Sequence, residues 1–247
     1  MLDKSAFSEA IDYVLQDEGR VTAALTPGVF QPGAGDQPLA PRYRTRHQIE
    51  AVRRIWATSE IYALALVAML REDYEAARLW AEYVAVEMNL DKLNLEEAAK
   101  YGVDEARVRA TPPMRSTVGM IEVMLRNTCA MGSLPAVAHA VLVEWVWARA
   151  TAVSGERARD VQGLEFIKTI ASHPDFDARR NHSNQVIEVA HRLVSRRPDG
   201  IPVFLMLLRQ TAAFLRAYLG ELYLFGGAEP IGRPGEQPQA PARAKGG

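Results

Sequence analysis

The residues of this chain most able to do chemistry are glutamates set in the middle of apolar helical arcs. A charge in such a place costs several kcal/mol unless it is paired, protonated or bound to a metal ion. On a wheel turning about 100° per residue, Glu87 stands at the centre of an arc holding Ala76, Trp80, Tyr83, Val84 and Leu90. Glu75, Arg78, Glu82 and Asn89 lie on the opposite side. Glu60 stands the same way among Ile49, Trp56, Ala57, Leu64 and Val67, with Arg53 on the same face as an ion-pair alternative. Between Leu134 and Ala148 only His139 and Glu144 are ionisable, in a run apolar all round, the mark of a central helix. Val137, Ala140, Val141, Trp147 and Ala148 surround Glu144, and the small ones leave room for something to approach its carboxylate. His139 points away from Glu144 on the wheel and reads as a structural residue.

The imidazoles that could join these carboxylates fall in residues 173–194. His182 shares an arc with Ala178, Val186, Val189 and Leu193 and so faces the core. His173 and Asp177 are four apart and can converge; Asp175 and His182 are seven apart and also share a face. The spacing leaves open which pair points inward. Glu188 and His191 form an E-x-x-H pair, but they share their side with Asn181, Asn184, Arg192 and Ser195, which reads as a solvated face. Three helices thus each bury one Glu, and a fourth presents His and Asp. Carboxylates gathered in a core repel one another unless something positive sits between them. Carboxylate and imidazole ligands from facing helices are what a di-iron or di-manganese site uses. A set with no cysteine disfavours zinc. The competing reading is that each Glu is hydrogen-bonded to a Tyr or paired with an Arg of another helix.

The elements that position these residues all read as helices. The periodicity predicts helices over 4–25, 46–70, 74–94, 116–130, 134–153 and 156–171, one from Pro174 to about Arg196, and one from Pro202 to Phe225. A short helix precedes Pro112 and Pro113, and Ser133 is placed to cap the helix that follows it. No stretch alternates with period two, so the expected fold is all-α, a single bundle of about seven helices spanning residues 1–225. Residues 26–45 are a Pro/Gly-rich functional loop or wrapping arm, and residues 226–247 a disordered tail.

The composition agrees with a folded chain: 247 residues, 48% hydrophobic, 24% charged, net charge −1. That balance offers no basic field for nucleic acid or anionic lipid. The single cysteine, Cys129, excludes an intrachain disulfide framework and points to a reducing compartment. The start lacks a secretory pattern and no apolar run reaches about 18 uninterrupted residues, so a cytoplasmic protein with no membrane span is expected. Phosphate-binding glycine loops, a nucleophile elbow and an HExxH helix are all missing.

With these residues in place, the chain resembles the heme-oxygenase-like di-metal oxidases, relatives in fold of TenA and PqqC, over roughly residues 46–225. That family carries a Glu on an early helix, a Glu on a middle helix, and then a His-x-x-x-Asp-x-x-His helix. Glu87 and Glu144 match the two carboxylates, and Glu60 matches an extra one that some members supply. His173 and Asp177 match the start of the last motif, 29 residues after Glu144. Arg180 stands where its final His belongs, with His182 two further on. Asn94 stands where a His can follow the first Glu, and Asp91 is its nearest substitute. The resemblance implies a heme-oxygenase-like bundle holding two Fe(II) ions, or Mn in their place, on Glu60, Glu87, Glu144, His173, Asp177 and His182. It implies O2 as co-substrate and oxidation of a small amino-acid-like molecule: N-oxygenation, oxidative C–C cleavage, desaturation or nitrile formation. Glu144 and His182 are then the catalytic centre. Arg53, Arg126 or Arg179 would fork a substrate carboxylate, and Trp147 would help wall the cavity. Two other readings stay open. One is a metal-free TenA- or PqqC-like enzyme with Glu144 and His182 as an acid–base pair. The other is a non-enzymatic helical binding protein whose buried charges pair internally. The Trp and Leu content is compatible with a homodimer.

Overall fold

A computed structural model describes residues 3–25, 41–157 and 182–226. Among these residues every regular element is a helix. In order they are α1 (Lys4–Leu25), α2 (Pro41–Glu72), α3 (Tyr74–Glu87), α4 (Leu90–Ala99), α5 (Glu105–Ala110), α6 (Arg115–Met131), α7 (Leu134–Arg157), α8 (His182–Ser195) and α9 (Gly200–Gly226).

The helix read as apolar all round is the central one. From Leu134 to Leu142 no residue of α7 is more than 8% exposed, and α7 packs against α9, α8, α6 and α2. Its Ala-rich surface lets neighbours approach closely, and the large side chains come from outside it: Trp80 and Tyr83 of α3, Phe7 of α1, and Phe204 and Leu208 of α9. Fully burying a side chain of the Leu or Phe kind contributes about 1.5–3 kcal/mol. The span Gly200–Leu222 is by length and composition apolar enough to cross a membrane. In this fold its Phe204, Leu207, Leu208, Ala212, Tyr218 and Leu222 are buried, and α9 lies against α7, α1 and α6 as a core helix does.

Several boundaries differ from the sequence expectation. α2 begins at Pro41, inside the stretch read as a loop; proline is at home in the first turn, where its missing N–H costs nothing. The single helix expected over 74–94 is two. Asn89 is the cause: its Nδ2 donates to the Ala85 carbonyl at 2.9 Å, and its backbone N–H turns to Val86 O at 3.1 Å, which closes α3 at Glu87. Ser133 does not cap α7 through its hydroxyl; Oγ donates to Glu72 Oε2 at 2.6 Å, and Glu72 also pairs with Arg197 at 3.3 Å. The adjacent Gly132, with φ of 83°, lies where a Cβ would collide with the Glu72 carboxylate. The loop over 26–40, the helix expected over 156–171 (beyond Arg157), the start of the next helix from Pro174 and the tail from 227 on lie outside the described residues.

The pair α3 and α8 is joined along its length. At one end Asp73 caps α3, accepting from the Glu75 and Ala76 N–H groups at 2.9 and 3.0 Å, and binds Arg192 and Arg196 of the α8 end at 3.2 and 2.9 Å. Burial works against the Asp73 charge, but the Ala76 N–H and the two arginines outweigh it and hold the carboxyl below its usual range. In the middle Gln185 Nε2 donates to Leu79 O at 2.9 Å. Asp73→Ala removes a cap and strands two guanidinium groups, and should lower the unfolding free energy by about 2 kcal/mol. Urea unfolding followed by circular dichroism measures this; an unchanged midpoint would show that the clamp is dispensable.

Candidate metal centre

At the other end of the α3–α8 pair, three of the sequence-predicted residues meet. Glu87 is the last residue of α3, Glu144 lies in the middle of α7, and His182 is the first described residue of α8. One ligand atom from each lies within 4.8 Å of the other two. His182 Nδ1 and Glu144 Oε1 are 4.0 Å apart, with the side chains only 5% and 12% exposed. That separation is too long for a direct hydrogen bond but suits two ligands of one ion bound at about 2.1 Å from each. Two carboxylates and an imidazole are a donor set for a divalent first-row metal. The residues present therefore fit a bound metal ion.

Buried phenols back this group. Tyr83, one turn before Glu87, donates from Oη to Glu144 Oε1 at 3.3 Å and sets its ring edge-on to His182, with centroids 5.3 Å apart. Tyr62 of α2 lies beside Tyr83 with centroids 5.9 Å apart, and its hydroxyl is hydrogen-bonded to His139 Nδ1 at 2.8 Å. Trp80 closes the cluster, donating Nε1–H to Tyr62 O at 3.0 Å. Burial first, and then the Glu87 charge, raise both phenols well above their ordinary value, so they stay protonated as hydrogen-bond donors. His139 is pushed the other way, down to about 4, by burial and then by the positive charge of Arg54. It is held neutral against Tyr62, apart from the Glu87–Glu144–His182 group.

The other sequence-predicted residues are placed as follows. Glu60 is a correction: it is exposed and takes no part in the group. Its apolar arc is divided: Ile49 is buried and Trp56 packs against a core cluster, but Leu64 and Val67 are 39% and 57% exposed, so the arc faces outward from Glu60 onward. Arg53 does not pair with Glu60 and does not reach the group. It binds Glu50 at 2.6 Å and donates to the carbonyls of Val108 and Thr111. Arg126 is exposed on α6. Asp91 does not replace a histidine: the break at 88–89 puts it on α4, where it accepts from the Lys92 N–H, and Asn94 is buried with its amide on Leu90 O. His173, Asp175, Asp177 and Arg179 lie outside the described residues, as does the side chain of Trp147.

Two features were missed. Glu50 is the fully buried carboxylate of α2, paired with both Arg46 at 3.0 Å and Arg53. Arginines four before and three after a glutamate were the signal available. The Tyr83 hydroxyl was read as part of an apolar wall, although its place one turn before Glu87 put it beside the site. A cavity of about 470 Å³ lies between α1, α7 and α8, lined by Trp145 and Val141 of α7, Ser183 and Val186 of α8, and Lys4 and Asp12 of α1 among others; Glu87, Glu144 and His182 do not line it.

Neither a protein-family model nor a curated protein matches this sequence. Solved structures match it in fold. A domain of unknown function with a heme oxygenase-like fold from Shewanella denitrificans aligns with a TM-score of 0.67 and 11% identity, covering 90% of this chain and 92% of that one. A TenA homolog from Pseudomonas syringae aligns at 0.66 and 15% identity, covering 90% and 95%. A TenA family transcription regulator from a Silicibacter species aligns at 0.60 and 16% identity, covering 85% and 96%. The chain has the heme-oxygenase-like fold.

The His139 environment carries a pH dependence with a definite sign. The unfolded chain takes up a proton there as pH falls through about 6.5, whereas the folded chain does so only near 4. Between those values the unfolded state binds more protons, so stability falls with falling pH by about 1.4 kcal/mol per unit, and no further below 4. This group alone should cost the fold about 2 kcal/mol between pH 7 and 4.5. His139→Gln keeps an acceptor for Tyr62 and removes the titration. Its unfolding free energy should change less between those two pH values than that of the parent, and equal changes would sink the assignment.

Proposed function

We propose that this chain is a non-heme iron oxidoreductase that uses O2 to oxidise a small amino-acid-like molecule. The observation that carries the proposal is the convergence of Glu87, Glu144 and His182, from three helices, within 4.8 Å. In this reading these side chains hold one iron of a di-iron pair, and His173 and Asp177, from the segment outside the described residues, serve the second. Bound ferrous iron supplies the electrons with which O2 is activated. The chain supplies the rest. Tyr83 fixes the orientation of Glu144 through its hydrogen bond, in the way that outer groups orient metal-binding carboxylates. Trp80, Tyr62 and Tyr83 exclude water from one side of the site.

A second reading is favoured by the TenA names of two neighbours in fold. In it no metal binds, and Glu144 and His182 work as an acid–base pair on a ligand atom seated in the 4.0 Å space between them.

Anaerobic titration of the apoprotein with Fe(II), alone and with a pool of amino acids, separates the two readings. About two irons per chain and a transient visible band on mixing with O2 are expected. Glu144→Gln should abolish specific uptake with the helical spectrum intact, and Tyr83→Phe should weaken it by about tenfold. Failure of the parent protein to take up iron in either condition would overturn the oxidoreductase reading and leave the acid–base one.

A further inference from the structure

The outward-facing arc around Glu60 has an order that a random exposed surface lacks. Glu60, Leu64, Val67 and Arg71 are spaced by four, three and four residues and fall within about 60° of one another on the α2 wheel. All four are exposed, and neither Glu60 nor Arg71 makes an ion pair among the described residues. The spacing is that of a helix–helix seam, with apolar residues at the centre and charges at the margins. The two charges are opposite in sign and sit at opposite ends of the stripe.

This pattern is complementary to itself when turned around. In an antiparallel pairing of two such helices, the register that sets Glu60 against Arg71 also sets Leu64 against Val67, because both pairs are centred between positions 65 and 66. Ala63 and Ala68 share that centre, and their size lets the helices approach. Each charge then lies about 8 Å along the helix from the two-fold axis, far enough to meet only its opposite. Isologous two-fold contacts require this relation: residue i meets j, and j meets i. We infer that this face of α2 is the contact between two copies of the chain, an antiparallel helix pair with two Glu60–Arg71 ion pairs flanking a Leu64–Val67 centre. The charge complementarity of the stripe with its own reverse selects a second copy over an unrelated partner. It also accounts for a glutamate amid an apolar arc that is not part of the metal group, and it is independent of what that group binds.

The test is the mass of the full chain in solution, by sedimentation velocity at tens of micromolar. The parent is expected to be a dimer. Val67→Glu, an exposed substitution, is expected to give a monomer with unchanged helical signal and a melting temperature that no longer rises with protein concentration. Glu60→Arg and Arg71→Glu are each expected to weaken the dimer by about tenfold, since each sets like charges together at both ends. The double variant restores opposite charges and is expected to return close to the parental affinity. A monomeric parent, as would follow if another segment of the chain covers the stripe, would overturn the inference. So would a dimer that survives Val67→Glu, or a double variant no tighter than the single ones.

Discussion

Repulsion between Glu87 and Glu144 is the interaction that the rest of this structure has to contain. Two like charges no more than 4.8 Å apart, at an effective dielectric of about 20, oppose each other by at least about 3 kcal/mol. The frame resists that force by being packed where it cannot yield. α7 is enclosed by α9, α8, α6 and α2, so Glu144 cannot retreat. α3 and α8 are tied at their far end through Asp73, Arg192 and Arg196, and in the middle through Gln185. Those ties set the register that brings the near ends, with Glu87 and His182, to the same place.

Among the described residues, the side chains packed around the group are phenols and a neutral imidazole. The phenols of Tyr62 and Tyr83 keep their protons, because burial and the nearby carboxylates oppose ionisation. His139 remains neutral at physiological pH. Three arginines of α2 are engaged elsewhere: Arg46 and Arg53 surround Glu50, and Arg54 lies over the Tyr218 ring with its guanidinium carbon 3.8 Å from the centroid. A buried charge is tolerated when its partner is close, as at Glu50. Glu87 and Glu144, by contrast, converge with the His182 imidazole, a donor set that suits a bound cation.

How far the sequence could be read depended on whether a feature was local to one helix. The central role of α7 followed from a run apolar on every side, and Glu144 could hardly face anywhere but inward. Glu87 and His182 stood at the centres of apolar arcs whose Trp80, Tyr83, Val186 and Val189 are buried in the core. Glu60 gave the same signal and faces out of the bundle, because a wheel reports that an arc is apolar and not what lies against it. Asp91 was misplaced for a different reason: one asparagine side chain competing for a backbone carbonyl ended the helix and rotated everything beyond it out of register. The Tyr83 contact with Glu144 joins positions 61 residues apart and left no mark on either segment alone.

The two carboxylates of the site are mounted differently. Glu144 stands in the body of α7, largely buried and braced by a phenol. Glu87 is the terminal residue of α3, followed by a two-residue break, and helix ends yield before helix middles do. The site thus has one stiff jaw and one compliant jaw. An occupant that changes its radius or the number of its ligands can be followed by a small movement at the end of α3, while the geometry on the α7 side stays fixed as the reference against which anything bound there is held.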